Sequence, residues 1–252
     1  VVKDIRLSVA KLQSAALDGV PEKYQPTATA FVFKTRYNGK EEVWAATAGH
    51  IAKGMGEHLK LVFYENNRKI VLPARVVQYG PNMVSDIALL ELQGPLPPEI
   101  NPLPLAQTES ALGEAFISAG YSGQELVYTS RQFLQKDNQR FLRTDYSVPL
   151  NKRAGLCGAP LINAQGEAVG VHCGSNWGHE IGYASNIKLL SYLLRAQHGE
   201  PTDIPLIAGK YVLGNILPGE HIHSVEALDA QGRSIARYDT ENRLTQSTMV
   251  NL

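Results

Sequence analysis

The segment Arg153-Ala154-Gly155-Leu156-Cys157-Gly158-Ala159-Pro160-Leu161 sets a cysteine between one glycine two residues before it and another directly after it. Glycine accepts the tight, left-handed backbone that side chains resist, so such a segment can hold a thiol at the apex of a turn. The amide N–H groups of Gly155, Leu156 and Cys157, those of Gly155 and Cys157 foremost, can then converge on a developing oxyanion, as acyl transfer requires. A packed cysteine beside a tight turn is the other meaning of the same letters.

Two upstream segments add the remaining chemistry. Thr47-Ala48-Gly49-His50 ends an apolar, β-prone run with a histidine, which places an imidazole at the mouth of a strand as a general base. Ser85-Asp86-Ile87-Ala88-Leu89-Leu90 puts a carboxylate directly before another apolar strand, from where it can hold that imidazole in one tautomer. Alone, the histidine reads as a surface or core residue and the aspartate as a turn residue. Together, in the order His50, Asp86, Cys157, they make a nucleophile, a base and an orienting group.

These three motifs resemble those of the chymotrypsin-fold proteases, over residues 27–194. T-A-G-H-I is similar to the histidine motif of trypsin-like enzymes, S-D-I-A-L-L to their aspartate motif, and G-L-C-G-A-P-L to G-x-S-G-x-P-L with sulfur replacing oxygen. Within that fold R-A-G-L-C-G resembles the picornaviral 3C proteases, and C-G-A-P-L followed by G-V-H-C-G-S-N-W resembles the potyviral nuclear-inclusion protease. The resemblance implies a viral 3C-like cysteine endopeptidase that processes a polyprotein substrate in the host cell cytoplasm, without a cofactor. It also implies an all-β fold, two six-stranded antiparallel β-barrels with a C-terminal helix and a small β appendage. Two other readings stay open: a bacterial trypsin-like protease with cysteine at the serine position, and a non-catalytic binding module on a protease fold.

The resemblance further implies a pocket for the residue before the cleaved bond, P1. His172 matches the histidine that hydrogen-bonds a P1 glutamine in the viral enzymes, and bacterial glutamyl endopeptidases carry a similar G-x-H on this strand for glutamate. Gly174 follows on the same strand and joins the substrate-binding set. Lys152 stands where the viral enzymes have threonine, and its charge either snorkels away or favours a carboxylate. P1 is therefore glutamine or glutamate; the cysteine nucleophile tilts the expectation toward glutamine, with glutamate as the main competitor.

The elements that must position these groups are mostly strands. Residues 27–36 and 41–46 flank Asn38-Gly39, a strong hairpin signal. Further strands fall at 59–64, 69–78 and 87–92, enough with the hairpin for one small barrel, after a short amphipathic helix within 5–17. The proline-rich stretch Gly94-Pro95-Leu96-Pro97-Pro98 opens a linker running to Pro104. A second set lies at 115–119, 126–133, 140–146, 160–163, 168–173 and 180–186. Residues 187–195 carry apolar side chains at helical spacing. The domains expected are 1–104 with His50 and Asp86, 105–198 with Cys157 and the P1 pocket, and 199–252 as a β extension with strands at 210–213, 221–228 and 234–238 and a turn at Gln231-Gly232.

Composition constrains partners. With 24 basic and 24 acidic residues in 252, net charge calls for neither nucleic acid nor membrane. The basic K-F-R-D-I motif by which 3C proteins bind RNA has no counterpart between the barrels. No apolar run reaches membrane-spanning length and the start lacks a signal-peptide core. The two cysteines, Cys157 and Cys173, would lose the nucleophile if they paired, so a reducing compartment is expected. His221 and His223 alternate on a strand without a third well-spaced metal ligand.

Overall fold

The computed structural model describes residues 4–21, 24–66, 68–80, 86–108, 110–137, 141–146, 148–176 and 180–200, and five strands within 204–247. Val9–Ser14 (β1) is buried along its whole length. Val9 belongs to an apolar cluster with Phe31 and Leu190, whereas Ala10 and Leu12 belong to another with Val32 and Leu61. Successive residues of a strand face opposite ways, so both faces of β1 are covered.

β2 (Ala28–Tyr37) and β3 (Lys40–Thr47) form the hairpin that Asn38-Gly39 signals. Both turn residues adopt left-handed φ, 47° and 80°, the conformation a two-residue hairpin turn needs. Helix α1 (Gly49–Met55) leads to β4 (His58–Glu65), β5 (Arg68–Tyr79) and β6 (Ala88–Leu92). On β5, Ile70, Leu72, Ala74 and Val76 point inward at every second position. The strands run β1-β4-β5-β6-β3-β2, and β1 pairs back on β2 to close a six-stranded antiparallel barrel. β7 (Leu103–Pro104) adds to the outside of β2 in parallel.

The second barrel comprises β8 (Ala115–Ser122), β9 (Glu125–Asp137), β10 (Phe141–Asp145), β11 (Pro160–Ile162), β12 (Ala168–Asn176) and β13 (Ile181–Asn186). It closes in the order β10-β13-β12-β11-β8-β9. Helix α2 (Lys188–Gln197) buries Leu189, Leu190, Leu193 and Leu194 in a cluster that also contains Phe31 and Ile87 of the first barrel and Ala119 and Val171 of the second. Beyond its end, the His198 ring stacks on Tyr37 at 3.7 Å and bonds Glu42 at 3.0 Å.

The expected architecture of two six-stranded barrels and a C-terminal helix is present. The amphipathic helix expected within 5–17 is instead β1 between short 3-10 turns at Ile5–Leu7 and Ala15–Leu17. Val9 and Leu12 lie at helical spacing because two separate cores take opposite faces of one strand, and Ile5, in the turn before it, packs in the Val9 cluster. The expected linker likewise contains β7. In the tail, β14 (Ile204–Ile207) pairs with β15 (Tyr211–Leu213), and β16 (Ser224–Leu228), β17 (Ser234–Asp239) and β18 (Leu244–Ser247) form a second small sheet. Ser85, His221, His223 and the Gln231-Gly232 turn lie outside the described residues.

Candidate active site

β3 stops at Thr47 and α1 opens at Gly49, so His50 sits in the first turn of a helix just past the strand's mouth. Asp86, two residues before β6, accepts from it twice: Oδ1 from the backbone N–H at 2.7 Å and Oδ2 from Nδ1 at 2.5 Å. The ring also hydrogen-bonds Cys157. With Nδ1 committed to Asp86, that contact falls to Nε2. The Asp86 contact first, and the Cys157 contact second, raise the imidazole from 6.5 to about 10, leaving it protonated at neutral pH.

Asp86 is held from the other barrel. Ser185 Oγ, on β13, accepts from the Asp86 N–H and donates to the Asp86 carbonyl, both at 3.1 Å.

The thiol-bearing turn depends on its glycines. Gly155 has φ +94° and a Cβ there would meet the Tyr121 carbonyl oxygen at 2.3 Å; Gly158 has φ +93° and a Cβ would meet the Thr29 carbonyl oxygen at 1.9 Å. Both steric room and left-handed backbone thus demand glycine. Thr29 stitches this turn to the first barrel. Its N–H donates to the Cys157 carbonyl at 3.0 Å and its Oγ1 donates to the Gly155 carbonyl at 2.8 Å. Thr47 Oγ1 in turn donates to the Thr29 carbonyl at 2.7 Å.

Within the turn, the Leu156 N–H donates to the Arg153 carbonyl at 3.3 Å and the Gly158 N–H to the His172 carbonyl at 2.7 Å. The N–H groups of Gly155 and Cys157 have no acceptor among the described residues. Of the three amides expected at the oxyanion hole, Leu156 is therefore committed elsewhere. Cys157 is a half-buried free thiol with Sγ 3.7 Å from the Cys173 carbonyl. Cys173 is also free; burial, then the Asp86 and Cys157 charges, push its thiol far up.

His172 lies on β12 beside the turn and is buried. Its Nδ1 stands 3.0 Å from Arg131 Nη1. A guanidinium only donates, so Nδ1 accepts and the ring's single proton sits on Nε2. Burial, then the Arg131 charge, hold the imidazole well below 6.5, so it is neutral. Gly174 follows at a bulge in the β12–β13 register. Lys152 closes a 3-10 turn and its Nζ pairs with Glu125 at 3.0 Å, both side chains well exposed. The structure thus brings His50, Asp86, Cys157, Gly155 and His172 together, and directs the Lys152 charge to a surface carboxylate.

Residues 28–171 match the model of the trypsin-like peptidase domain. The chain belongs to that family. Among solved structures, this trypsin-like domain is similar to the active form of the Rv3671c protease from M. tuberculosis, at 20% identity and TM-score 0.57, covering 83% of this chain and 84% of that one. It is similar to a human pathogenic astrovirus serine protease at 19% identity and TM-score 0.51, covering 72% and 90%. The MamO protease domain from Magnetospirillum magneticum aligns at 17% identity and TM-score 0.55, covering 74% and 95%. Compared with curated protein sequences, the chain has no match. The fold is therefore that of a trypsin-like peptidase, and polypeptide is its substrate class.

Among the described residues no group of three or more His, Cys, Asp or Glu could hold a metal ion. Three site residues escaped the sequence. Thr29 and Ser185 carry no local signal, because their partners are 126 and 99 residues away. Arg131 did leave one: in β9 it is in phase with Phe133, and both are buried. Period two along a strand assigns both to the barrel interior.

Proposed function

We propose that this trypsin-like domain is a cysteine endopeptidase, with Cys157 as nucleophile, His50 as its proton partner and Asp86 as orienting group. The observation that carries it is the chain of contacts from Asp86 through His50 to the Cys157 thiol at a glycine-enforced turn. A thiol beside an imidazolium reacts as a thiolate, which attacks the scissile carbonyl. The carbonyl oxygen becomes negative and is received by the unengaged N–H groups of Gly155 and Cys157. The tetrahedral adduct collapses as the His50 imidazolium protonates the leaving amine, giving a thioester at Cys157. Water, deprotonated by the now neutral His50, hydrolyses the thioester and regenerates the thiol. His172, beside the turn, lines the P1 pocket for glutamine or glutamate.

The R-A-G-L-C-G segment supports a polyprotein-processing enzyme acting in the host cytoplasm. The bacterial proteases of like fold support a second reading, a bacterial trypsin-like protease with cysteine at the serine position. A peptide library separates the two: a polyprotein processor requires an extended sequence around the cut, and a general protease is satisfied by P1. The same library, run on native protein and Cys157→Ala, tests the nucleophile. Native protein should cleave and Cys157→Ala should lose roughly 1000-fold or more, with His50→Ala comparable and the double variant little worse. Equal cleavage by Cys157→Ala would remove the assignment.

A further inference from the structure

The second barrel buries two guanidinium groups against one aromatic ring. Arg131, 2% exposed, has its Cζ 4.4 Å from the centroid of the Tyr146 ring, and Arg153, 9% exposed, has its Cζ 5.1 Å away. The same ring stacks on His172 at 5.0 Å. Charges so placed are costly unless they are paired. Part of their hydrogen-bonding is met: Arg131 Nη1 donates to His172 Nδ1 at 3.0 Å and Arg131 Nε to Thr129 Oγ1 at 3.2 Å. Arg153 Nε donates to the Val148 carbonyl at 2.7 Å and its Nη2 approaches the Tyr146 carbonyl at 3.4 Å. Among the described residues, neither arginine has a carboxylate at ion-pair distance; the Asp145 charge acts on Arg131 only through space, and its Oδ1 accepts from the Gln132 N–H.

What is left over has one character. Arg131 Nη2, Arg153 Nη1 and Tyr146 Oη are all buried with no hydrogen-bond partner among the described residues. Two of these three can only donate and the third, a hydroxyl, can do so. A carboxylate offers acceptors alone and satisfies such donors, whereas the amide of glutamine would turn its own NH2 group toward some of them. The cluster adjoins the nucleophile turn: Arg153 is four residues before Cys157, and the His172 carbonyl accepts the Gly158 N–H. Lys152, next to Arg153 in the chain, is already paired with Glu125.

We infer that Arg131, backed by Arg153 and Tyr146, makes the P1 pocket a carboxylate site, so that the enzyme cuts after glutamate in preference to glutamine. Arg131 has two parts in this. It fixes His172 as the neutral Nε2–H tautomer, and it supplies the charge that a P1 glutamate neutralises. The inference rests on the cysteine endopeptidase reading and deepens it.

The test uses peptides identical except at P1 (glutamate, glutamine or alanine), with kcat/KM measured for native protein, Arg131→Gln and Arg131→Lys. Native protein should favour glutamate over glutamine by about 100-fold, the size of discrimination that a hydrogen bond to a charged group supplies. Arg131→Gln should bring that ratio to about 1 or below by losing glutamate turnover, and Arg131→Lys should keep part of it. Alkylation of Cys157 by iodoacetamide checks in each variant that the nucleophile is assembled. If Arg131→Gln fails to fold, the native ratio alone decides: glutamine cut as well as glutamate overturns the inference. So does a folded Arg131→Gln that keeps the native ratio. Cleavage of the alanine peptide alone overturns this inference and leaves the endopeptidase reading standing. Cleavage of no peptide, with Cys157 inert to iodoacetamide, overturns the endopeptidase reading and this one with it.

Discussion

A thiol protease needs its imidazole charged in the resting state, and His50 owes its charge chiefly to Asp86, whose carboxylate lies 2.5 Å from Nδ1. Activity should therefore persist until His50 loses its proton, placing the alkaline limb of kcat/KM near pH 10. Asp86→Asn should move that limb down toward 6.5 while leaving measurable turnover, because the amide cannot stabilise the imidazolium. A pH–rate profile checks this, and an unmoved limb would show that Asp86 does not set the base. The sign for stability follows from the same shift. The folded-state value is raised above 6.5, so the pair's contribution is complete below that pH and is lost as pH rises through about 10. His50, Asp86 and Cys157 were legible because each lies in a contiguous motif. Arg131 was legible only as a phase within β9, and Thr29 and Ser185 not at all, since a hydroxyl's use depends on what folding brings opposite it.

At the scale of elements, the nucleophile turn is clamped between β2, β3 and β8 with no room for a methyl group at Gly158. Gly158→Ala should cost about 2–5 kcal/mol, from left-handed strain together with overlap on the Thr29 carbonyl. It should also depress kcat/KM, because relief of the overlap moves Cys157 relative to His50; denaturant unfolding and peptide kinetics measure the two effects. A stability change below about 0.5 kcal/mol would mean that the turn is not fixed by this contact. Strands with one face in a core, such as β5, advertise themselves by alternation. β1 does not, because its Val9 face packs in the inter-barrel cluster and its Ala10 and Leu12 face in the first barrel. Apolar letters on both faces erase period two and leave spacings that mimic a helix.

For the whole molecule, the site exists only while the barrels stay in register, since His50 and Asp86 come from one and Cys157 from the other. One apolar cluster spans both and takes in α2. Leu190 is fully buried in it, so Leu190→Ala should destabilise by about 2–5 kcal/mol. It should do so for both barrels at once: hydrogen exchange should rise together in β2 and β12. Exchange rising in one barrel alone would show that they unfold independently. The two-barrel plan could be anticipated from strand count and motif order, whereas the packing of α2 across both barrels could not, because its apolar stripe names no partner.

The most direct test of the thiol mechanism is to mix the protein with a peptide ester that acylates quickly and deacylates slowly, quench, and locate the adduct by mass spectrometry. A thioester on Cys157 is predicted, with Cys173 unmodified because its thiol is pushed far up by burial. His50→Ala should form it far more slowly. Turnover of the ester with no adduct at Cys157, or with the adduct on Cys173, would contradict the assignment of Cys157 as the nucleophile.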